Sequence, residues 1–260
     1  NLAARTGVDR VDEVGALARD VDTMAARIEN LIRSEKSLLA NMSHEIRTPL
    51  ARIRVLLELI GEAGGQCPRE QLDGLNADVA ELESLLEDVF LTAKLDVMMD
   101  KGGEAGLVLK PETLNVGQFI GDVVERFRKR YPNTPLSHEI PDDSKELNAD
   151  SRLLRRLMMN LLDNAVKYSG EDARVELQVD NMDQGIRFRV KDNGPGIDDR
   201  ELDRIFEPFF RADRDTETGK PGVGIGLTLC RRIVEAHGGT IEAGNRDDGE
   251  PGAVFEVVLN

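Results

Sequence analysis

The run SHEIRTPL, Ser43 to Leu50, places a histidine where it can act as a nucleophile. Met42 and Ile46 fall on an apolar seam. His44 stands two residues from each, roughly 200° around a helix of 3.6 residues per turn, so it faces solvent. An exposed imidazole is ordinarily mostly neutral at pH 7 and nucleophilic. Glu45 follows it, and a carboxylate hydrogen-bonded to one ring nitrogen raises the nucleophilicity of the other. Thr48 lies one turn on, on the same face, and Pro49 removes a helix hydrogen bond and permits a bend just below. A zinc site of the H-E-x-x-H type is excluded, because Thr48 stands where the second histidine would be.

Three further constellations have chemistry of their own. In NLLDNAVKY, Asn160 to Tyr168, Asn160 and Asn164 share a helix face, and a carboxamide oxygen is a hard ligand suited to Mg²⁺ with bound phosphates. Lys167 adds a cation nearby, while Leu161, Leu162 and Val166 can anchor the other side in a core. In DNGPGID, Asp192 to Asp198, two glycines around Pro195 make a tight turn, and Asp192 can accept a hydrogen bond from an exocyclic amine such as N6 of adenine. In GVGIGLTLCRRIVEAHGG, Gly222 to Gly239, Gly224 and Gly226 precede a helix predicted over Leu227–His237, the place where backbone N–H groups receive phosphate. The pattern fits neither the P-loop nor the dinucleotide fingerprint. The polar, Asp-rich stretch from Gly196 to Gly222 reads as a lid, with Phe206, Phe209 and Phe210 at its base. Taken singly, each has a plainer reading: a surface histidine, a polar helix face, a hairpin turn, aromatic core packing.

The elements that must position these residues differ along the chain. Val14, Leu17, Val21, Met24, Ile28 and Leu31 step by three and four, as do Leu39, Met42, Ile46, Leu50, Ile53, Leu57 and Ile60. One irregular step separates the two seams, between Leu31 and Leu39. Gly61, Gly64, Gly65 and Pro68 interrupt the pattern, and a third seam follows at Leu72, Leu75, Val79, Leu82, Leu86, Val89 and Ala93. Two amphipathic helices about a short turn make a hairpin. One hairpin has too little core alone, so two copies are expected to form a four-helix bundle, a homodimer. After the linker 101–106, strands are expected at 107–109, 174–179, 186–191 and 253–259, and helices at 115–130, 150–168 and 226–237. That mixture indicates an α/β sandwich.

A formal net charge of −15 argues against non-specific binding to nucleic acid or anionic membrane. It leaves room for a nucleotide, since a local pocket and Mg²⁺ override the global field. Two cysteines, Cys67 and Cys230, show no metal-ligand spacing and imply a reducing compartment. No apolar run approaches ~18 residues. The chain begins at Asn1 within a helical pattern and reads as a piece of a longer protein.

The order of the motifs carries more than any one of them. SHEIRTPL, NLLDNAVKY, DNGPGID, FEPFFR and GVGIGL, in this sequence, resemble the H, N, G1, F and G2 boxes of sensor histidine kinases, over residues 34–260. Residues 8–33, with DEVG at Asp12 to Gly15, look like the second helix of a HAMP signalling module. The resemblance implies a partial HAMP helix over 1–33 and a dimeric phosphotransfer hairpin over 34–100. It implies a Bergerat-type α/β sandwich that binds ATP over 107–260. On this basis His44 accepts the γ-phosphoryl group of ATP, Glu45 assists as base, and Thr48 positions water or contacts for dephosphorylation. Asn164 holds Mg²⁺ with Asn160 nearby, Lys167 faces the phosphates, and Tyr168 faces the nucleotide. Asp192 reads adenine, Gly194 and Gly196 shape its pocket, and Gly222, Gly224, Gly226 and Leu227 form the phosphate end of the lid. The implied partners are a second copy and the receiver domain of a response regulator, with no nucleic acid. Membrane attachment, at a bacterial inner membrane, is implied only through upstream segments. Two other readings are an ATPase of the gyrase and heat-shock chaperone kind, which lacks SHEIRTPL on a dimerising hairpin, and a nucleotide-binding scaffold without kinase activity.

Overall fold

The computed structural model describes residues 10, 12, 17–18, 21–26, 46–60, 68–100, 109–212 and 223–260. The expectations for Val14, Ile28, Leu31, Leu39, Met42 and the linker 101–106 lie outside them. Two compact units are present, one reaching Leu82 and the other beginning at Glu83.

In the first unit, residues 17–18 and 21–26 are helical, and Leu17, Val21 and Met24 are exposed. Residues 46–60 form helix α1, and α2 is Arg69–Asp100. Helix α2 starts where the Pro68 carbonyl accepts from the N–H groups of Gln71 and Leu72. Arg52 of α1 reaches Asp78 of α2 at 2.6 Å, so the first turns of α2 lie beside α1 as a hairpin. Within one chain the seam stays largely uncovered. Ile46, Ile53, Ile60 and Leu75 are half-buried, whereas Leu50, Leu57, Leu72 and Val79 are 38–56 % exposed.

The second unit is a layer of helices on a sheet. Its strands are β1 (Glu112–Asn115), β2 (Leu136–Glu139), β3 (Glu146–Ala149), β4 (Val175–Asn181), β5 (Ile186–Asp192), β6 (Thr240–Asn245) and β7 (Ala253–Leu259). Strands β1 and β3 form an antiparallel pair, and the other five form a sheet in the order β2-β4-β5-β7-β6. Only β2 and β4 are parallel in it. Strands β4, β5 and β7 alternate buried and half-buried residues, so one face of the sheet lies in the core.

Helices α3 (Val116–Arg130), α4 (Ser151–Ser169) and α5 (Gly226–Ala236) supply the apolar layer over that face. In α3 the buried residues Val116, Phe119, Ile120, Val123, Val124 and Phe127 recur at helical spacing. Asn115 Oδ1 caps the helix by accepting from Gln118 N, and Arg128, Lys129 and Arg130 in the last turn oppose the negative end of its dipole. Asp150 caps α4 by accepting from the N–H groups of Arg152 and Leu153, both at 3.1 Å. Its own N–H donates to His237 Nε2 at 3.0 Å, which ties the start of α4 to the end of α5. Leu95, near the end of α2, is fully buried in this same core.

The strand expected at 107–109 is not seen at its one described residue. Leu109 belongs to no strand, and 107–108 lie outside the described residues. The first strand begins past Pro111, which has no N–H to give a ladder, and pairs with 146–149 instead. Among the described residues, no helix is long and apolar enough to cross a membrane.

Candidate functional site

The period of two in β5 determines where its last side chain goes. Ile186, Phe188 and Val190 point into the core, so Asp192 does too, and its carboxylate is carried to the buried end of the strand. Burying a carboxylate requires donors. Oδ1 accepts from Gly194 N at 2.8 Å and from Ala253 N at 3.1 Å, the first residue of β7. The next strand in the sheet beyond β5 is β7, far along the chain, so the DNG sequence is not a hairpin turn. It opens a long connection instead.

That connection and α4 form a cleft. Asn164 and Tyr168 of α4, Asp192, Gly196, Ile197, Ile205, Phe210, Leu227 and Phe255 all line it. Asn164 and Tyr168 are four apart and share a helix face. Gly196 has φ +73°, and a Cβ there would stand 2.5 Å from Asn245 Oδ1. Only glycine lets the turn pass so close with that sign of φ. A buried carboxylate and a carboxamide among mainly apolar walls, with Glu201 and Arg211 also on the lining, suit a flat, amine-bearing heterocycle joined to a polar tail.

A clip joins the described residues on either side of 213–222. Phe209 N donates to Gly224 O at 3.0 Å, joining the two sides of the segment 213–222, which lies outside the described residues. Gly224 has φ +76°, and a Cβ would meet Phe210 O at 2.6 Å. Phe209 itself has φ +65°, the left-handed region that costs a side-chain-bearing residue ~1–2 kcal/mol. Phe206 is buried edge-on to Phe255, with centroids 6.4 Å apart, and the Arg231 guanidinium lies 4.5 Å from its centroid. The aromatic base is therefore core packing and cleft wall together: Phe206 serves the first, Phe210 the second.

Of the residues singled out in the sequence, Asn164, Tyr168, Asp192, Gly196 and Leu227 come together on the cleft, from three separate motifs. Gly194 touches the site through its N–H bond to Asp192. Gly224 holds the clip, and Gly226 opens α5, where Asn160 Nδ2 lies 3.9 Å from the position of an added Cβ. Asn160 Nδ2 is buried, and its carboxamide lies against the buried thiol of Cys230. Lys167 lies off the cleft lining, its Nζ 5.1 Å from the Tyr168 ring centroid. Thr48 is exposed on α1, in the other unit. His44, Glu45 and Gly222 lie outside the described residues. Among the described residues, no cluster of three His, Cys, Asp or Glu side chains stands ready for a metal ion.

Asp163, the neighbour of Asn164, turns away from the cleft. It accepts from the Tyr131 hydroxyl at 3.0 Å and lies 3.4 Å from Arg130, and burial raises its pKa above the ordinary value despite those partners. Two residues that sequence reasoning missed touch the base of the site. Asn245 and Arg246 bond to the backbone of Ile197 and Asp192, and no local pattern marks them.

Comparison with known proteins gives two family matches. Residues 34–97 match the "His Kinase A (phospho-acceptor) domain", and residues 149–260 match the "Histidine kinase-, DNA gyrase B-, and HSP90-like ATPase". The signal transduction histidine-protein kinase BaeS of Escherichia coli is 30 % identical over 249 residues, 95 % of this chain and 52 % of BaeS. The solved structure of the mycobacterial sensor histidine kinase MprB is 30 % identical and superposes with TM-score 0.50 over 58 % of this chain and 97 % of that one. Histidine kinase ThkA, crystallised in complex with response regulator protein TrrA, shares the fold at 24 % identity, with TM-score 0.60 over 95 % of this chain and 67 % of that one. The chain spans about half the length, or less, of the curated relatives it matches first.

Proposed function

Because this chain belongs to the sensor histidine kinases, we propose that it phosphorylates itself on His44 from ATP and passes the phosphoryl group to the receiver-domain aspartate of a response regulator. The observation that carries this reading is the convergence of Asn164, Tyr168, Asp192, Gly196 and Leu227 on one cleft, with a buried carboxylate at the end of β5.

The chain's own residues fit a nucleotide. Asp192, its Oδ1 fixed by two N–H donors, presents an acceptor to the 6-amino group of adenine. Ile197, Ile205, Phe210 and Leu227 exclude water from the flanks of the ring. Tyr168 lies along the ligand. The Asn164 carboxamide oxygen would hold Mg²⁺, with Asn160 close by. Lys167, Gly222, Gly224 and Gly226 would attend the phosphates, Gly226 from the start of α5. Mg²⁺ neutralises charge on the phosphates, and the reaction is otherwise a matter of position. An imidazole nitrogen of His44 attacks the γ-phosphorus as the bond to the bridging oxygen breaks, releasing ADP, and Glu45 orients the ring and takes its proton.

The domain boundaries proposed above, a hairpin over 34–100 and an ATP-binding domain over 107–260, accompany this reading. So does the homodimer, supported by the uncovered seam residues Leu50, Leu57, Leu72 and Val79. A bundle of two hairpins would bury them. Thr48, exposed on α1, is proposed to aid removal of the phosphoryl group from the regulator. The proposed setting is the cytoplasmic face of a bacterial inner membrane, reached through other parts of a longer protein.

The test is incubation with γ-labelled ATP and Mg²⁺ beside a His44→Gln variant. Acid-labile, alkali-stable label on the native chain and none on the variant is the expected result. Equal label on both would remove His44 from the reaction. Nucleotide binding with no label on either would reduce the chain to a binding scaffold.

A further inference from the structure

Resting on the reading of Asp192 as the group that takes the base's amine, we propose that Asn245 and Arg246 are positioning residues that set the selectivity of the pocket for a 6-amino purine. They are consecutive, at the end of β6, and each grips a different end of the Asp192–Ile197 turn. Asn245 uses both atoms of its carboxamide on one residue. Its Oδ1 accepts from Ile197 N at 2.7 Å, and its Nδ2 donates to Ile197 O at 2.8 Å. This fixes the far end of the turn in register, against the wall that Ile197 lends to the cleft.

Arg246 holds the near end. Its side chain is only 8 % exposed and spans three elements. Nη1 donates to the Asp192 carbonyl at 3.3 Å, and Nη2 meets Glu176 of β4 at 3.0 Å. Nε and Nη2 fork onto Asp248 at 3.0 and 2.7 Å. The Arg246 N–H also donates to Gly252 O at 3.0 Å, and the next residue, Ala253, supplies one of the two N–H groups on the Asp192 carboxylate. The carbonyl of Asp192 and a donor to its carboxylate are thus referred to the same residue. The hydrogen bond to Arg246 holds the Asp248 carboxyl down at about 2, so the fork stays charged throughout the neutral range.

A hydrogen bond from an amine to a carboxylate is directional and weakens steeply off axis. A displacement near 1 Å at a reacting or reading group can cost on the order of 10²-fold. Freed from Arg246 and Asn245, the turn keeps its apolar walls and binds a purine, but loses its grip on the identity of the group at C6.

The experiment compares ADP and IDP, each with Mg²⁺, by titration calorimetry on the full 260-residue chain. IDP carries an oxygen where ADP carries the amine. The wild type prefers ADP. Arg246→Gln and Asn245→Ala each lower that preference by about tenfold or more, with IDP affinity little changed. In an Asp192→Asn background, adding Arg246→Gln changes the preference by less than about twofold, because its effect passes through Asp192. A cooperative thermal melt establishes that each variant is folded. A role in stability alone would lower the melting temperature and leave the ratio intact. If folded variants retain the wild-type preference, the positioning role is wrong while the reading of Asp192 stands. If the wild type binds ADP and IDP alike, the reading of Asp192 is wrong and the proposal falls with it. Should Arg246→Gln fail to fold, Asn245→Ala decides the matter by the same ratio.

Discussion

Gly224→Ala is the most direct probe of how the site is held. At φ +76° an L-residue bears ~1–2 kcal/mol relative to glycine. The added methyl would lie 2.6 Å from Phe210 O and 2.9 Å from the carbonyl carbon of Phe209, both backbone atoms that cannot swing aside as a side chain would. Relieving such contacts shifts the backbone, at ~1–3 kcal/mol. The shift stretches the 3.0 Å bond from Phe209 N to Gly224 O, worth ~0.5–1.5 kcal/mol. The parts overlap, because one displacement relieves both strain and clash, so about 2–4 kcal/mol in total is expected. Much of it falls on the clip and the cleft wall at Phe210 rather than on the whole core. Nucleotide affinity should therefore drop by roughly 30-fold or more, at about 1.4 kcal/mol per factor of ten, with a smaller loss in global stability. Calorimetric titration with ADP and a urea melt, on wild type and variant, separate the two. Affinity within threefold of wild type would show that the clip does not shape the site.

Two further outcomes follow from buried charge. Asp163 has a folded pKa raised by burial above its ordinary value, the opposite of a carboxylate stabilised by its partners. The folded state then holds more protons than the unfolded state between the two values, so stability falls as pH rises through that window. Against Asp163→Asn, whose amide does not titrate, the wild type should lose ground as pH rises from below 4 toward neutrality; urea melts across that range with a constant or reversed gap would contradict this. Arg156 donates to Asp88 at 2.8 Å, and to the Ser84 carbonyl and hydroxyl at 3.1 and 2.8 Å. Asp88 is also raised by burial, with Arg156 the main opposing influence. Arg156→Leu should cost roughly 2 kcal/mol at pH 7, and Asp88→Asn in the same chain should recover most of it. A single-variant loss under about 0.5 kcal/mol would mean the pair is solvated and structurally idle.

How much of this was legible in the sequence depends on the range over which each feature is encoded. The helices Val116–Arg130, Ser151–Ser169 and Gly226–Ala236 follow from apolar spacing within single segments. Strands β4, β5 and β7 follow from alternation, because both neighbours of each are paired and one face is covered. Strands β2 and β6 escaped notice at the edges of the sheet. In Leu136–Glu139 only the first residue is buried, and Thr240–Asn245 alternates exposed with no more than half-buried residues, so the contrast between faces is weak in both. Leu109, two residues before Pro111, belongs to no strand, and the rest of the run expected there lies outside the described residues. In the site, Asp192 was readable because the same alternation that buries Val190 buries it. Asn245 and Arg246 were not, since their partners are backbone atoms 48 and 54 residues away.

That division has a physical cause. Groups that touch a ligand sit where an element ends, and ends leave local marks: a capping residue, a turn glycine, the last inward position of a strand. Groups that hold those ends need only a donor or acceptor of the right reach, and any fold can supply one from anywhere in the chain. Phe209 marks the boundary between the two kinds. Its φ of +65° breaks the local rule that glycine satisfies at Gly196 and Gly224, and nothing in FEPFFR announces it. The conformation persists because its N–H is bound to Gly224 O and because it hands Phe210 to the cleft wall. Strain of ~1–2 kcal/mol retained at such a point is small against the core beneath it, and it appears where the position of the site matters more than local comfort. On this argument Phe209→Gly should stabilise the chain if only the backbone is considered. Phe210 remains on the wall in that variant only if the clip, rather than the Phe209 side chain, is what holds it there.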